Sequence, residues 1–343
     1  MSRRWLIVTQ DFPPHFIGGV ASWAVDLAQA LSDDGQSVAV YARRTGETRQ
    51  ADAQHPFPVH RMWGRSWNRW QGLWVRLALR GRLDKDTVVI CANWPLATRL
   101  VGNLNGARLA VAFHGSDLTR LDAPPRRLAA VVQAADALLP VSAFLKDRLQ
   151  GLIPDVDDDR LQVLPMPLAD PGPRQPHTGR SLSLVFVGRL TPLKGVDRAI
   201  RLARRVDRPL TIIGDGPLAP VLNVKDGVTL RGALPRAAAM AELARAAAIV
   251  LLPRADEDGS GAEGLGLCLL EAAARAVPGI GCDTGGVPEA LGPGLLLDTP
   301  DEPDIEKVRA FLDDAPAHGE AARRWVLARH GPRQTLKTLK QLC

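Results

Sequence analysis

Two carboxylates and two cations have the residue types and spacing for joint chemistry. Glu263 and Glu271 lie in "EGLGLCLLEAAARAVP", one before an apolar, alanine-rich helical pattern and one on it. An unpaired carboxylate turned into a core is costly, so the pair predicts something polar at that end of the helix. A carboxylate offers two acceptor oxygens, which suits the adjacent hydroxyls of a ribose or another sugar. In "GRLTPLKGVDRAI", Arg189 and Lys194 flank a proline-bearing turn just before a helix that starts near Gly195. Cations there oppose the helix macrodipole. They fit a doubly charged phosphate group held between them, the arginine as a fork and the lysine as a point charge. Two solvated surface charges are the plainer alternative.

Other residues gather at similar places. Backbone N–H groups of Leu265, Gly266 and Leu267 would open the helix that carries Glu271, a helix start able to bind an anion or a hydroxyl. Gly18 and Gly19 open a helix after "QDFPPHFI" and would let a ligand approach free N–H groups. A tight turn explains them equally well, and the spacing is not GxGxxG. His114 begins "HGSDL" directly after an apolar run, placed either to reach into a cleft or to serve a structural hydrogen bond. Its pairing with Asp117 is too weak a pattern for a metal site. "DED" at 256–258 resembles a DxD metal motif only superficially, and no metal is expected.

Elements that position these residues alternate along the chain. Strands are predicted over 5–9, 37–42, 87–92, 108–113 and 137–142, then over 182–188, 209–214, 228–232, 248–253 and 278–282. Helical patterns cover 20–32, 95–104, 143–151, 195–205, 236–247 and 266–276. Continuous apolar strands alternating with helices predict α/β domains with parallel sheets covered on both faces. "PMPLADPGPRQPHTG" at 165–179 is rich in Pro and Gly and reads as a linker. Two doubly wound domains of similar size follow, and ligands of such sheets bind outside the carboxyl ends of the strands.

Bulk properties set the class. The chain has 343 residues, 46% of them hydrophobic and 23% charged, as in an ordinary globular protein long enough for two domains. A net charge of +6 favours an acidic partner: nucleic acid, a phosphate-bearing ligand or an anionic membrane. The four cysteines are scattered with no CxxC, which reads as reduced thiols and not as disulfides or zinc. No signal peptide and no apolar run long enough to span a bilayer is read from the sequence, so a cytoplasmic, soluble or peripheral protein is expected. The segment 60–83 holds six arginines and no acid. At about 100° per residue, Trp63, Trp67, Trp70, Trp74 and Leu77 share one face, with Arg65, Arg69, Arg76 and Arg80 on another. That is the pattern of a helix lying on anionic lipid. A helix packing its tryptophans onto the first sheet is the alternative, and Gly72 disfavours a free helix. Nucleic acid is not expected, because no recognition motif accompanies the charge.

"DFPPHFIGGV", "HGSD", "FVGRLTPLKG", "IIGDGPL" and "EGLGLCLLEAAARAVP", followed by "TGGVPEAL", resemble in order and spacing the retaining glycosyltransferases of family four. The likeness covers nearly the whole chain. It implies the GT-B fold, two Rossmann-like doubly wound domains facing each other across a cleft. Residues 1–168 would bind the acceptor and 169–343 the nucleotide-sugar, with the last helices (about 303–342) packing back on the first domain. By resemblance, Arg189 and Lys194 match the diphosphate-binding pair and Glu271 the glutamate on the nucleotide ribose. Glu263 matches the glutamate near the transferred sugar, and His114 the histidine by the sugar ring. Gly19, beside Gly18, matches the glycine against the distal phosphate, and Gly214 and Gly216 fall in the loop beside the nucleotide. Leu265, Gly266 and Leu267 offer backbone donors. "ARAVPGIG" departs from the family, which usually shows a small or Cys-Gly pair before the proline. The implied activity is metal-independent transfer of a hexose from a nucleotide-sugar, a UDP-sugar favoured, to a glycan or lipid-linked acceptor, without a cofactor, in bacterial polysaccharide or lipopolysaccharide synthesis. A non-catalytic nucleotide-sugar-binding protein and an NAD-dependent dehydrogenase are the competing readings.

Overall fold

The computed structural model describes residues 3–14, 18–44, 46–62, 79, 81–115, 117–121, 126–172, 182–222, 227–255 and 261–343. The chain forms two compact units, Met1–Ala169 together with His330–Cys343, and Asp170–Arg329. In the first unit the described strands are β1 (Arg4–Thr9), β2 (Ser37–Arg43), β3 (Val59–Met62), β4 (Thr87–Cys91), β5 (Arg108–Phe113) and β6 (Ala137–Pro140). They pair in parallel in the order β3-β2-β1-β4-β5-β6. The second unit holds β7 (Leu184–Val187), β8 (Leu210–Ile213), β9 (Val228–Leu230), β10 (Ala248–Leu251), β11 (Gly279–Cys282) and β12 (Leu295–Leu297). Their order is β12-β11-β10-β7-β8-β9, again all parallel.

Both sheets owe their cores to unbroken apolar strands. Every residue of β4, β10 and β11 is buried, as expected of interior parallel strands with helices on both faces, and the edge strand β6 is buried throughout as well. The helix Gly19–Asp33 turns Ala21, Trp23, Ala24, Leu27 and Leu31 inward. Asn93 caps the short helix Trp94–Ala97 by accepting from Leu96 N (3.2 Å), and Ser142 does the same for Ala143–Leu152 at Leu145 N (3.2 Å).

In each sheet the strand order reverses between two neighbours. After β1 the chain runs one way to β2 and β3, and β4 then starts on the other side. The second sheet repeats this between β7 and β10. The crevice outside the carboxyl ends at such a reversal is where these folds take ligands.

The observed elements correct some boundaries. β3 and β12 are absent from the sequence-based strand series. β3 is a short edge strand with only half-buried residues and no alternation, and β12 is three leucines between glycines and an acidic stretch. His60, Arg61 and Met62, expected to begin an interfacial helix, belong to β3 and pair with Tyr41, Ala42 and Arg43. The remainder of that segment, with Trp63, Trp67, Trp70, Trp74 and their arginines, lies outside the described residues. The helix expected over 95–104 is confined to Trp94–Ala97, and Gly102 takes a positive φ (77°) soon after.

The helix Pro332–Leu342 is part of the first unit. It buries Thr335, Leu336 and Leu339, and Lys340 pairs with Asp34 at 2.6 Å. Arg108 donates to the carbonyl of Cys343 at 2.7 Å. His330 Nδ1 accepts from Met166 N (3.2 Å), while Gly331 N donates to Met166 O (2.7 Å).

Candidate active site

Loops after β7 and β8 meet backbone to backbone. Gly188 N donates to Ile213 O (3.0 Å) and Leu190 N to Asp215 O (2.9 Å). A Cβ on Gly214 would stand 1.9 Å from Gly188 O, and one on Gly216 2.6 Å from Leu190 O, so glycine is required at both. Arg189 sits between these contacts with its side chain exposed. The two glycines therefore shape the loop that presents Arg189.

Lys194 ends the single turn Pro192–Lys194, and Gly195 follows with φ 68°. A Cβ on Gly195 would fall 1.8 Å from Leu252 O, so the turn is pressed onto the end of β10. Arg254 fastens it there. Its backbone N donates to Leu193 O (2.7 Å), and its guanidinium donates to both carboxylate oxygens of Asp197, at 2.7 and 2.6 Å. Burial raises the Asp197 pKa, but the hydrogen bonds and charge of Arg254, with those of Arg201, outweigh it and hold the carboxyl at about 2.

Lys194 and Glu263 are joined directly: the ammonium pairs with the Glu263 carboxylate, whose side chain is only 13% exposed. The backbone of Glu263 is fixed from behind. Gly286 N donates to Glu263 O (2.9 Å). A Cβ on Gly285 would come within 2.1 Å of that same oxygen, and one on Gly286 within 2.3 Å of Gly264 O. Leu265 is buried, Gly266 caps the helix Leu267–Ala274 with φ 90°, and no side chain caps that helix start. Cys268, on its first turn, feels the charges of Glu263, Lys194 and Glu271, and burial pushes its thiol up to about 12.

Glu271 is buried on the same helix and accepts from Arg236 at 3.1 Å. Arg189, Lys194, Glu263, Leu265–Leu267 and Glu271 thus stand where β7 and β10 adjoin, at the carboxyl ends of the second sheet. Gly214 and Gly216 follow β8, and Arg236 follows β9.

His114, Gly18 and Gly19 belong to the first unit. His114 follows β5; its Nε2 is buried with no hydrogen-bond partner among the described residues, and Trp23 packs edge-on at 4.6 Å between ring centroids. Burial pushes the imidazole down to about 3. Asp117 Oδ1 accepts from Gly115 N (3.0 Å) and His114 N (3.3 Å), and Trp94 Nε1 donates to the Asp117 carbonyl (2.7 Å). Burial raises the Asp117 carboxyl to about 6 against those backbone bonds. Gly18 and Gly19 are exposed at the start of the helix that carries Trp23. Asp256–Asp258 lie outside the described residues.

Sequence reasoning passed over Arg236, Arg254, Trp23 and the Gly285–Gly286 pair, and weighed Asp117 only as a metal ligand. Arg236 carried a usable signal, a cation at a helix start, the same anomaly that singles out Arg189 and Lys194. Trp23 carried none, because its contact with His114 joins distant parts of the chain. Where the family shows a small residue and glycine before the proline, Ala276 takes φ 54°.

The family profile described as Glycosyl transferases group 1 matches residues 181–314, and that of Glycosyltransferase Family 4 matches residues 17–168. The chain is 30% identical to the GDP-mannose-dependent alpha-(1-6)-phosphatidylinositol monomannoside mannosyltransferase of Mycobacterium tuberculosis, over 95% of this chain and 94% of that one. It is 27% identical to the alpha-maltose-1-phosphate synthase of Mycolicibacterium smegmatis, over 91% and 88%. Among solved structures, TarM of S. aureus (with UDP in that crystal) superposes with a TM-score of 0.80 at 11% identity, and HepE of Anabaena with UDP and glucose at 0.77 and 14%, each covering 99% of both chains. Two doubly wound six-stranded sheets, this structural likeness and matches running through both units converge: the chain has the GT-B fold and belongs to the family-four, group-one glycosyltransferases.

Proposed function

We propose that the protein is a retaining, metal-independent hexosyltransferase that moves a sugar from a nucleoside-diphosphate sugar to a glycan or lipid-linked acceptor. The observation that carries this reading is the contact between Lys194 and Glu263 where β7 and β10 adjoin, with exposed Arg189 in the loop after β7 and buried Glu271 on the helix after β10. Cleaving a sugar–phosphate bond leaves an oxocarbenium-like sugar and a nucleoside diphosphate with new negative charge. Preorganised cations and a helix start are what lower that barrier. In this reading Arg189 and Lys194 hold the diphosphate, and the N–H groups at Leu265–Leu267 support it. Glu271 accepts from the ribose hydroxyls. Glu263 orients the transferred sugar, and the departing phosphate takes the acceptor's proton.

GDP-mannose is the first nucleotide-sugar to test, because a curated relative alike over nearly the full chain carries it in its name. UDP-sugars, the expectation from sequence, form the second arm. The same relative's name favours a lipid-linked acceptor over a free glycan. A peripheral place on the inner face of the cytoplasmic membrane in a polysaccharide or lipopolysaccharide route suits the positive charge; no described helix is long and apolar enough to cross a membrane.

The test is turnover. Purified protein with GDP-mannose, UDP-glucose or UDP-N-acetylglucosamine and a membrane lipid extract should release nucleoside diphosphate with EDTA present, and NMR should show an α-linked product from the α-linked nucleotide-sugar. A β-linked product removes retention, loss of turnover in EDTA removes metal independence, and no nucleoside diphosphate from any of the three removes the transferase reading as framed.

A further inference from the structure

Glu271 is a charged residue in the buried set, its side chain only 8% exposed. A carboxylate in that position needs a cation, and Arg236 supplies one, its Nη2 3.1 Å from Glu271 Oε1. The placement of that cation is unusual. Arg236 is the first residue of the helix Arg236–Ala244, with Pro235 before it and no side-chain cap. The partial positive charge of a helix start repels a guanidinium, so the local helix does not explain it. Arg236 also keeps 38% of its side chain exposed above a carboxylate that keeps 8%. The pair is closed off on the side of the carboxylate and exposed on the side of the guanidinium.

The sheet order gives that open side a direction. From β10 and β7, where Lys194 and Glu263 meet, the next strands outward are β8 and then β9. Arg236 follows β9, and its side chain reaches back to the helix that follows β10. A ligand with its diphosphate at Lys194 and its ribose on Glu271 would bring its nucleoside against the guanidinium. Guanidinium groups serve such a place well, offering fixed N–H donors to ribose hydroxyl oxygens and to carbonyl oxygens of a base.

We propose that Arg236 is a recognition residue for the nucleoside half of the nucleotide-sugar, acting together with Glu271. This rests on the donor-site reading above and adds a residue to it. Arg236 contributes to binding the nucleoside and not to stabilising the leaving diphosphate, so it acts equally on ground and transition states.

Calorimetric titration of the full-length protein separates these roles, with GDP, UDP and inorganic pyrophosphate as probes. Arg236→Ala should weaken nucleoside diphosphate binding by about tenfold or more, while pyrophosphate affinity stays within about twofold. With an active nucleotide-sugar, KM should rise by a similar factor and kcat change little. Arg236→Lys, which keeps the charge and loses the fork, should recover part of the affinity, and serves as the test variant if alanine lowers the melting temperature markedly. Nucleoside diphosphate affinity unchanged in both variants overturns the proposal. An equal loss for pyrophosphate and nucleoside diphosphate also overturns it, since that is what a merely structural pair would show. Wild-type protein that binds pyrophosphate but neither nucleoside diphosphate would instead sink the reading of the site itself.

Discussion

Lys194 is bound to a carboxylate that is itself a candidate site residue, so any diphosphate entering the site competes with Glu263 for the same ammonium. That competition makes Lys194→Ala informative. Loss of a charged hydrogen bond at the leaving group should cost about 2 kcal/mol, or roughly 30-fold in kcat/KM, most of it in kcat. Steady-state kinetics with the active nucleotide-sugar checks it, and a change confined to KM would contradict the leaving-group role. His114 and Asp117 make a second residue-scale prediction. Burial lowers His114 to about 3 from 6.5 and raises Asp117 to about 6 from 3.8. A histidine kept neutral in the folded state contributes stability that is present above 6.5 and lost as pH falls toward 3. A carboxyl kept protonated contributes stability that is full below 3.8 and lost as pH rises toward 6. The two slopes oppose each other between about pH 4 and 6. Asp117→Asn removes one of them, so the variant's stability should fall on acidification over that window more steeply than wild type, by up to about 1.4 kcal/mol per pH unit. Urea denaturation at several pH values measures it, and parallel profiles would refute it.

At the scale of elements, the site is held by Gly195, Gly285, Gly286 and Arg254, none of which is assigned a ligand contact. Gly285 shows how close the fit is, since the Cβ of an alanine there would stand 2.1 Å from Glu263 O. Gly285→Ala must move the Glu263 loop, and a loss of about 1–3 kcal/mol is expected, together with reduced activity. Denaturant melts and turnover measured side by side would show it; full activity with unchanged stability would mean that the loop yields without consequence. Much at this scale was readable in the sequence. β1, β2, β4 and β5 declared themselves as continuous apolar runs, and "EGLGLCLLEAAA" with "GRLTPLKG" marked the ends where Glu263, Glu271, Arg189 and Lys194 are found. β3 and β12 were not readable, because an edge strand with half-buried residues and a three-residue strand lack the period that signals a strand. Arg236 showed in the sequence only as a cation at a helix start, while its pairing with Glu271 and that of Arg254 with Asp197 were hidden, because a salt bridge depends on where distant segments meet, which no local pattern records.

At the scale of the whole molecule, the chain leaves the first unit near Ala169 and returns to it at His330. The returning helix buries Leu336 and Leu339 against that unit, each contributing about 1.5–3 kcal/mol by area. Truncation after Arg329 should therefore destabilise the first unit by roughly 3–5 kcal/mol, seen as an early melting transition. A truncated chain that melts like wild type would show those contacts to be dispensable. The same return has a consequence during synthesis. A ribosome reading this message makes the whole of the second unit before it can release the helix that finishes the first. The first unit must wait, incomplete and exposed to proteases, until Pro332–Leu342 has emerged, and a premature stop ahead of that helix would damage the unit that was begun first.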